Sequence, residues 1–481
     1  MRRRTLLAAG AGTSAALALG AATGTAYGAT AYGSTAYGPG TPPRDTGALL
    51  HRWFRDTYRS LEALTTGLGL AADTLDVTGS GGEPEPSVHT SPSNIGCGLW
   101  STVAAAGLGV ISGTAMRRAL ARTVAAVERL ERHHGFWLNW YDARTGGVLT
   151  EWPGTGAPVR PFLSSVDNAW LVAALRIAAD ADPELRPRVG RLLADADWSF
   201  YYTPYDPDDP AVGPGQLRGG YHLDDGTYTP HWYGALNTEP RMAGYLGIAD
   251  GSLPGEHYWH TFRTLPPGAG QEQEPEGEWS TVDGVRVWRG HYTYRGRKTV
   301  PSWGGSMFEA LMVPLFVPEG QWSPRSWGLN HRRHVAGQIE HGLREEAYGY
   351  WGFSPATVPS GGYSEYGVDA LGMQTEGYTS KGVVTPHASF LAMPFAPGPA
   401  VANLLRIDRD FGAYADGYGF RDSVDVRTGR VSDHVLALDQ GMVAAALAQV
   451  LRPGLLQRPF RTGGFARRVE PLLRREDFGI A

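Results

Sequence analysis

The sequence is short of several things, and each shortage removes a class of protein. It holds one cysteine, Cys97, in 481 residues, so neither an intramolecular disulfide framework nor a cysteine-rich metal site can form. Lying in the small-residue stretch NIGCGLW, that thiol reads as a buried helix residue. The net charge of −5, from 43 Lys and Arg against 48 Asp and Glu, leaves no basic footprint for nucleic acid or an anionic membrane. HExxH, a Walker loop, a strand-to-helix GxGxxG and the GxSxG elbow are all missing, which argues against zincin, phosphate-loop, dinucleotide-binding and serine-hydrolase chemistry. HRRH at 331–334 spaces two histidines for a metal pair, but its arginines would repel a cation, so it reads as a solvated helix face. No metal and no cofactor is expected.

Long hydrophobic runs are scarce as well. The apolar run TLLAAGAGTSAALALGAATG follows Met-Arg-Arg-Arg and reads as an export signal rather than an anchor, with RRTLL fitting the twin-arginine pattern. Three TAYG copies at 25–28, 30–33 and 35–38, then Pro39, Gly40, Pro42 and Pro43, read as a flexible spacer. No other run is long enough to span a bilayer. Residues 1–44 are therefore expected to be signal and spacer, dispensable for folding, and residues 45–481 a single domain. The mature protein is expected to be secreted and monomeric, with no stable membrane insertion.

Alternating strand patterns are few; GVRVWRGHYTYRGR (284–297) is the clearest and predicts a hairpin within a loop. Helical signals, by contrast, fill twelve windows: 45–65, 91–109, 114–133, 165–180, 183–200, 238–250, 303–315, 328–344, 386–395, 398–410, 434–451 and 464–476. Ser91 before Pro92 is one capping signal, and Leu120, Val124, Val127 and Leu130 form one apolar face. Long loops rich in Gly, Pro, Trp and Tyr join them, notably 205–234, 252–302 and 346–385. Twelve helices without the internal period a solenoid would show predict an all-α fold, an (α/α)6 barrel with long loops and minor β-hairpins.

What the sequence has in quantity is aromatics, 11% with 15 Trp and 22 Tyr, and carboxylates set beside them. The candidates are Asp142, Asp167, Glu239, Glu309, Glu376, Asp422, Asp425 and Asp439. Paired carboxylates along a polymer groove are what glycoside hydrolysis needs. Each also has a plainer reading: Asp142 as a turn residue, Asp167 as a helix cap, Glu239 as a complement to a helix dipole beside Pro240. Asn237 and Thr238 are candidate caps for that helix. Trp137, Trp140, Tyr141, Trp170, Trp303 and Tyr378 are expected to wall a sugar groove, and Glu309 and Glu376 to bind substrate.

Eight stretches, TSPSNIG (90–96), RLERHHGFWLNWYDARTGGVL (129–149), SSVDNAWLVAAL (164–175), LNTEPRMAGYLGIADG (236–251), SWGGSMFEALMVPLF (302–316), TPHASFLAMPFAPGPAVANL (385–404), YGFRDSVD (418–425) and HVLALDQGMVAAAL (434–447), occur in that order. Together, over roughly residues 50–450, they resemble the glucoamylase-like (glycoamylase-like domain) family, which includes bacterial β-1,2-glucanases and a domain of cyclic β-1,2-glucan synthases. The resemblance implies an (α/α)6 barrel. It also implies Glu239 as the general acid, Asp422 as first choice of base with Asp439 second, and Asp142 and Asp167 as sugar or water ligands. Synthase-type relatives carry Glu where Asp422 stands and a Glu soon after a Trp-Gly pair; here WGFSPAT offers Pro355 instead, which favours an inverting hydrolase over a retaining transglycosylase. The expected partner is an oligo- or polysaccharide, a neutral glucan that is β-1,2-linked in the family's pattern. A polysaccharide lyase on the same toroid and a non-catalytic carbohydrate-binding protein stay as alternatives.

Overall fold

Capping fixes where many of the helices begin. In the computed structural model, which describes residues 46–78, 84–374, 377–378 and 380–481, α1 (Thr46–Leu64) leads the chain. α2 (Pro92–Gly107) starts behind Ser91, whose hydroxyl accepts from the Asn94 amide, with Pro92 in the first position where its missing N–H costs nothing. Ser112 and Ser164 do the same for α3 (Gly113–Val127) and α4 (Ser165–Ala181). α5 (Arg186–Ala194) follows, then α6 (Arg241–Asp250), which stops at Gly251 with φ 93°, a left-handed cap that suits glycine. Next come α7 (His257–His260), α8 (Met307–Leu311), α9 (Glu319–Trp322), α10 (Trp327–Glu340), α11 (Pro386–Ala392), α12 (Pro397–Phe411), α13 (Ala437–Leu451) and α14 (Gly463–Arg474).

All twelve predicted windows hold a helix. α7 and α9 are single turns, too short to show a period. The signal and spacer, and Glu376, lie outside the described residues. Two local expectations need correction. Asn237 and Thr238 do not cap α6: the Asn237 amide donates to the Val300 carbonyl and the Thr238 hydroxyl to that of Ala235. The 284–297 stretch is shared by two hairpins, Trp279–Val282 with Val285–Trp288 and Tyr292–Tyr294 with Arg297–Thr299.

α2, α4 and α13 are rich in small apolar residues and buried over most of their length, the pattern of helices surrounded by protein. α2 packs on α4 and α13, α4 on α6, α8 on α11, and α11 on α13. Arg241 at the head of α6 donates to the carbonyls of Glu309 and Ala310, tying α6 to α8. α1 packs on α2 and α13, and α3, α5, α14, α10 and α12 pack on α2, α4, α6, α8 and α11 respectively. No described helix is long and apolar enough to cross a membrane.

Candidate active site

Six helices, α2, α4, α6, α8, α11 and α13, carry polar groups at or just before their N-terminal ends. Asn94, Asp167, Glu309 and Asp439 are each the third residue of α2, α4, α8 and α13; His387 is the second of α11, and Glu239 sits two residues before α6. Electrostatic reach gathers the carboxylates into two overlapping groups, with Cys97 sensing Asp439, Asp167 and Asp73 together. Glu239 senses Glu309 and Asp167, whereas Asp422 senses Asp439 and Asp73. Tyr363 lies within reach of both, through Asp439 and Asp73 on one side and Glu239 on the other.

In the first group, burial pushes the Glu239 carboxyl up from 4.5 to about 8; Glu309 and Asp167 add to the rise, and a backbone hydrogen bond and Arg241 oppose it. Glu239 is thus protonated near neutral pH, although it stands at a helix N-terminus, where the dipole favours a charge. Glu309 is 6% exposed and its oxygens are occupied inside the protein. They accept from the Ser302 hydroxyl at 2.8 Å, the Gly304 amide at 3.0 and 3.1 Å and the Ser306 amide at 3.2 Å. Burial still carries its carboxyl above the usual range, against those donors. The Tyr233 hydroxyl is raised by burial and then by Glu239 and Asp167; that of Tyr378 by burial, Glu309, Glu365 and Glu239. The Tyr378 ring lies so close over Gly304 that a Cβ there would meet it at 2.0 Å.

A buried cation stands behind this group. Arg241 binds Glu319 in a fork, Nε to Oε1 at 2.7 Å and Nη2 to Oε2 at 3.0 Å, the geometry in which arginine pairs best. Its remaining donors go to the carbonyls of Thr238, Glu309 and Ala310 at 2.9–3.1 Å. Tyr245 donates to Glu319 at 2.8 Å, and His331 Nε2 lies 3.2 Å from it. This corrects the reading of HRRH as a solvated face: His331 and His334 are 1% and 0% exposed, and His334 Nε2 lies 3.1 Å from the Ser306 carbonyl.

In the second group, Asp422 is 2% exposed. Its Oδ2 accepts from the Thr357 hydroxyl at 2.8 Å and its Oδ1 from the Leu436 amide at 3.0 Å. Thr357 Oγ1 is in turn 2.7 Å from Ser432 Oγ. Burial, then Asp439 and Asp73, hold Asp422 well above the usual carboxylate range, against those two donors. Asp439 Oδ2 is 3.0 Å from His387 Nδ1; burial raises Asp439 and His387 opposes the rise. Asp73 accepts from the Asn94 amide at 2.8 Å and lies 3.3 Å from His89, whose ring meets Trp140 and Trp152 edge-on.

The predicted residues therefore divide. Asp167, Glu239, Glu309, Tyr378, Asp422 and Asp439 come together. Trp140 stands half-buried at the Asp73 end, and Trp303, 39% exposed, adjoins the Gly304 amide that binds Glu309. Trp137, Tyr141 and Trp170 are at most 1% exposed and belong to the core, so they do not wall a groove. Trp137 donates to the Val127 carbonyl and Tyr141 to that of Glu131. Asp142 is a turn residue, its Oδ1 accepting from the Arg144 and Thr145 amides. Sequence reasoning missed Asp73, Tyr233, Tyr363, Glu365 and His387. For His387 a signal was available: it follows a proline at the start of a helix, as Asp167 and Glu309 follow the capping serines Ser164 and Ser306. Among the described residues no cluster of three or more His, Cys, Asp or Glu is arranged to hold a metal ion.

Residues 274–463 match the family model Glycoamylase, described as "Putative glucoamylase"; the match takes in Glu309, Asp422 and Asp439 and leaves Glu239 outside. Over 305 residues, 60% of this chain, the sequence is 29% identical to the cyclic β-(1,2)-glucan synthase NdvB of Rhizobium meliloti (strain 1021). The chain spans only 9% of that much longer relative. Among solved structures, a protein from Bacteroides caccae carrying the same glucoamylase description superposes with a TM-score of 0.65 at 20% identity, covering 89% of this chain and 98% of that one. An endo-β-1,2-glucanase from Chitinophaga pinensis, solved with sophorotriose and glucose, does so with a TM-score of 0.65 at 16% identity and the same coverage, 89% and 98%. The likeness to glycoamylase-like proteins suggested by the eight motifs is thus present in sequence and in fold.

Proposed function

We propose that this protein is a glycoside hydrolase that cleaves a neutral glucan, β-1,2-linked in the first instance, with inversion. Glu239 gives its proton to the glycosidic oxygen as the bond to the anomeric carbon breaks. Asp422 takes a proton from the water that attacks that carbon from the opposite face. It acts in its ionised form, which the Thr357 and Leu436 donors favour against the upward push of burial. Such a reaction needs an acid still protonated at working pH and a base separated from it by about 6.5–9.5 Å. The observation that carries the reading is the gathering of buried carboxyls at one place, Glu239 beside Glu309 and Arg241, and Asp422 held by Thr357 and Leu436. Asp439 is the second candidate for the base, since His387 at 3.0 Å favours its ionised form.

A lyase would need a cation free to neutralise a uronate, and Arg241, the cation beside Glu239, is buried and bound to Glu319. The ring of helix contacts supports an (α/α)6 barrel formed by one domain from residue 45 onward. The arginine-led apolar start supports work outside the cytoplasm.

The test is hydrolysis of a panel of linear and cyclic glucans, with reducing-end assay and product anomer read by NMR. Cleavage of a β-1,2-glucan with inverted anomer is expected, together with loss of activity in Glu239→Gln. A protein that cleaves no glucan, or a Glu239→Gln variant within a few-fold of the parent, overturns the reading.

A further inference from the structure

The hairpin formed by Ala356–Thr357 and Tyr363–Ser364 carries one residue that binds Asp422, Thr357, and one within electrostatic reach of Glu239, Tyr363. Thr357 and Tyr363 are directly opposite in its register, and residues so paired put their side chains on the same face, roughly 5 Å apart at Cβ. Thr357 uses that face to donate to Asp422 at 2.8 Å. Tyr363 therefore shares the face of the hairpin from which Thr357 reaches Asp422. It nevertheless keeps 47% of its surface open. Among the described residues no other aromatic ring packs against it. Its turn is closed by Gly361 and Gly362, at φ 97° and 88°, with nothing near enough to meet a Cβ at either. A large ring held by its strand, with no aromatic neighbour and within electrostatic reach of Asp439, Glu365, Asp73 and Glu239, has no packing duty in the core.

We propose that Tyr363 is a substrate-binding residue whose ring face stacks on a glucose unit at the bond being cleaved, so that the sugar lies between the Glu239 and Asp422 groups. The proposal rests on the reading of this site as a glucan site. The apolar C–H face of a pyranose ring matches an aromatic face, and the surrounding carboxylates accept from the sugar hydroxyls at its edge. Phenylalanine keeps the stacking face, whereas alanine removes it.

Calorimetric titration of linear β-1,2-gluco-oligosaccharides into Glu239→Gln protein, alone and combined with Tyr363→Phe or Tyr363→Ala, tests this. Alanine is expected to weaken binding by about tenfold or more, as loss of a buried aromatic contact would, with phenylalanine within about threefold and the melting temperature unchanged in both. Equal binding by the alanine variant overturns the role of Tyr363 and leaves the hydrolase reading intact. Failure of both Tyr363 variants, with phenylalanine as weak as alanine, overturns stacking in favour of a hydroxyl contact. Tyr363-dependent binding by a parent protein that cleaves no glucan keeps the platform and overturns the hydrolase. No binding to any oligosaccharide overturns both.

Discussion

The Glu239 side and the Asp422 side of the site are both buried, but they are backed by different chemistry. Behind Glu239 and Glu309 stands a full charge: Arg241, locked to Glu319 and donating to the backbone of both glutamate-bearing segments. Behind Asp422 stand dipoles: one amide and a hydroxyl, Thr357, which is itself within hydrogen-bond distance of Ser432. A buried forked ion pair fixes geometry, because breaking it strands a charge. Neutral donors adjust more cheaply. The Glu239 side is accordingly a rigid frame, and the Asp422 side rests on a hairpin whose outer end is open to solvent.

The largest effect should come from the two carboxyls themselves. Glu239→Gln and Asp422→Asn are each expected to lower kcat on the order of 10²–10⁴-fold on a cleaved glucan. A dead Asp439→Asn beside an active Asp422→Asn would move the base to α13. Glu239→Gln has a second readout. With its pKa at about 8 in the folded chain against 4.5 ordinarily, the native state holds more protons than the unfolded chain between those values. Its contribution to stability is therefore complete below about 4.5 and lost as pH rises through 8. The melting temperature of the Gln variant relative to the parent should climb across that window and level off above it.

Arg241→Met is next. It leaves Glu319 buried without its cation and should destabilise by about 3–5 kcal/mol in denaturant unfolding. Adding Glu319→Gln should recover part of the loss; no recovery would mean that the backbone contacts, not the charge, hold the frame. On the other side, Thr357→Val should cost less, about 1.5–3 kcal/mol for a hydrogen bond to a charged group. It removes a donor that favours the carboxylate, so Asp422 moves further up and the acidic limb of the rate profile shifts to higher pH. Thr357→Ser should restore it, and an unmoved limb would detach Asp422 from the rate. The smallest effect is expected at Trp140: replacement by Ala should raise KM a few-fold and leave the melting temperature nearly unchanged, whereas a large drop would place it in the core.

The helices were legible because caps and apolar spacing are local, as at Ser91 before α2 and Ser164 before α4. Asp167 and Glu309, beside capping serines, were legible for the same reason, and they lie within electrostatic reach of the carboxylates around Glu239. Side-chain direction was less accessible. Trp137 and Trp140 are three residues apart, one buried in the core and the other at the rim, and aromatic density along the chain does not separate them. HRRH misled because His331 and His334 share the inward side of their helix while the arginines between them turn outward. Asp73, Tyr363 and Glu365 sit in segments with weak periodic signal, and only the tertiary packing brings them to the site.

Gly441 lies two residues after Asp439 on α13, facing Cys97 on α2, and a Cβ there would come within 2.5 Å of the Cys97 sulfur. Trp100 clasps the same point from α2, its indole N–H donating to the Gly441 carbonyl at 2.9 Å. One turn before Cys97, Asn94 holds Asp73. The absent methyl thus works as a gauge block: with two backbones pressed to their limit, the spacing of Asp73 from Asp439 is set by contact between helices and not by the reach of flexible side chains. A site calibrated in that way has little tolerance along the α2–α13 wall, and its adaptation to a wider or branched chain falls to the hairpin that bears Tyr363.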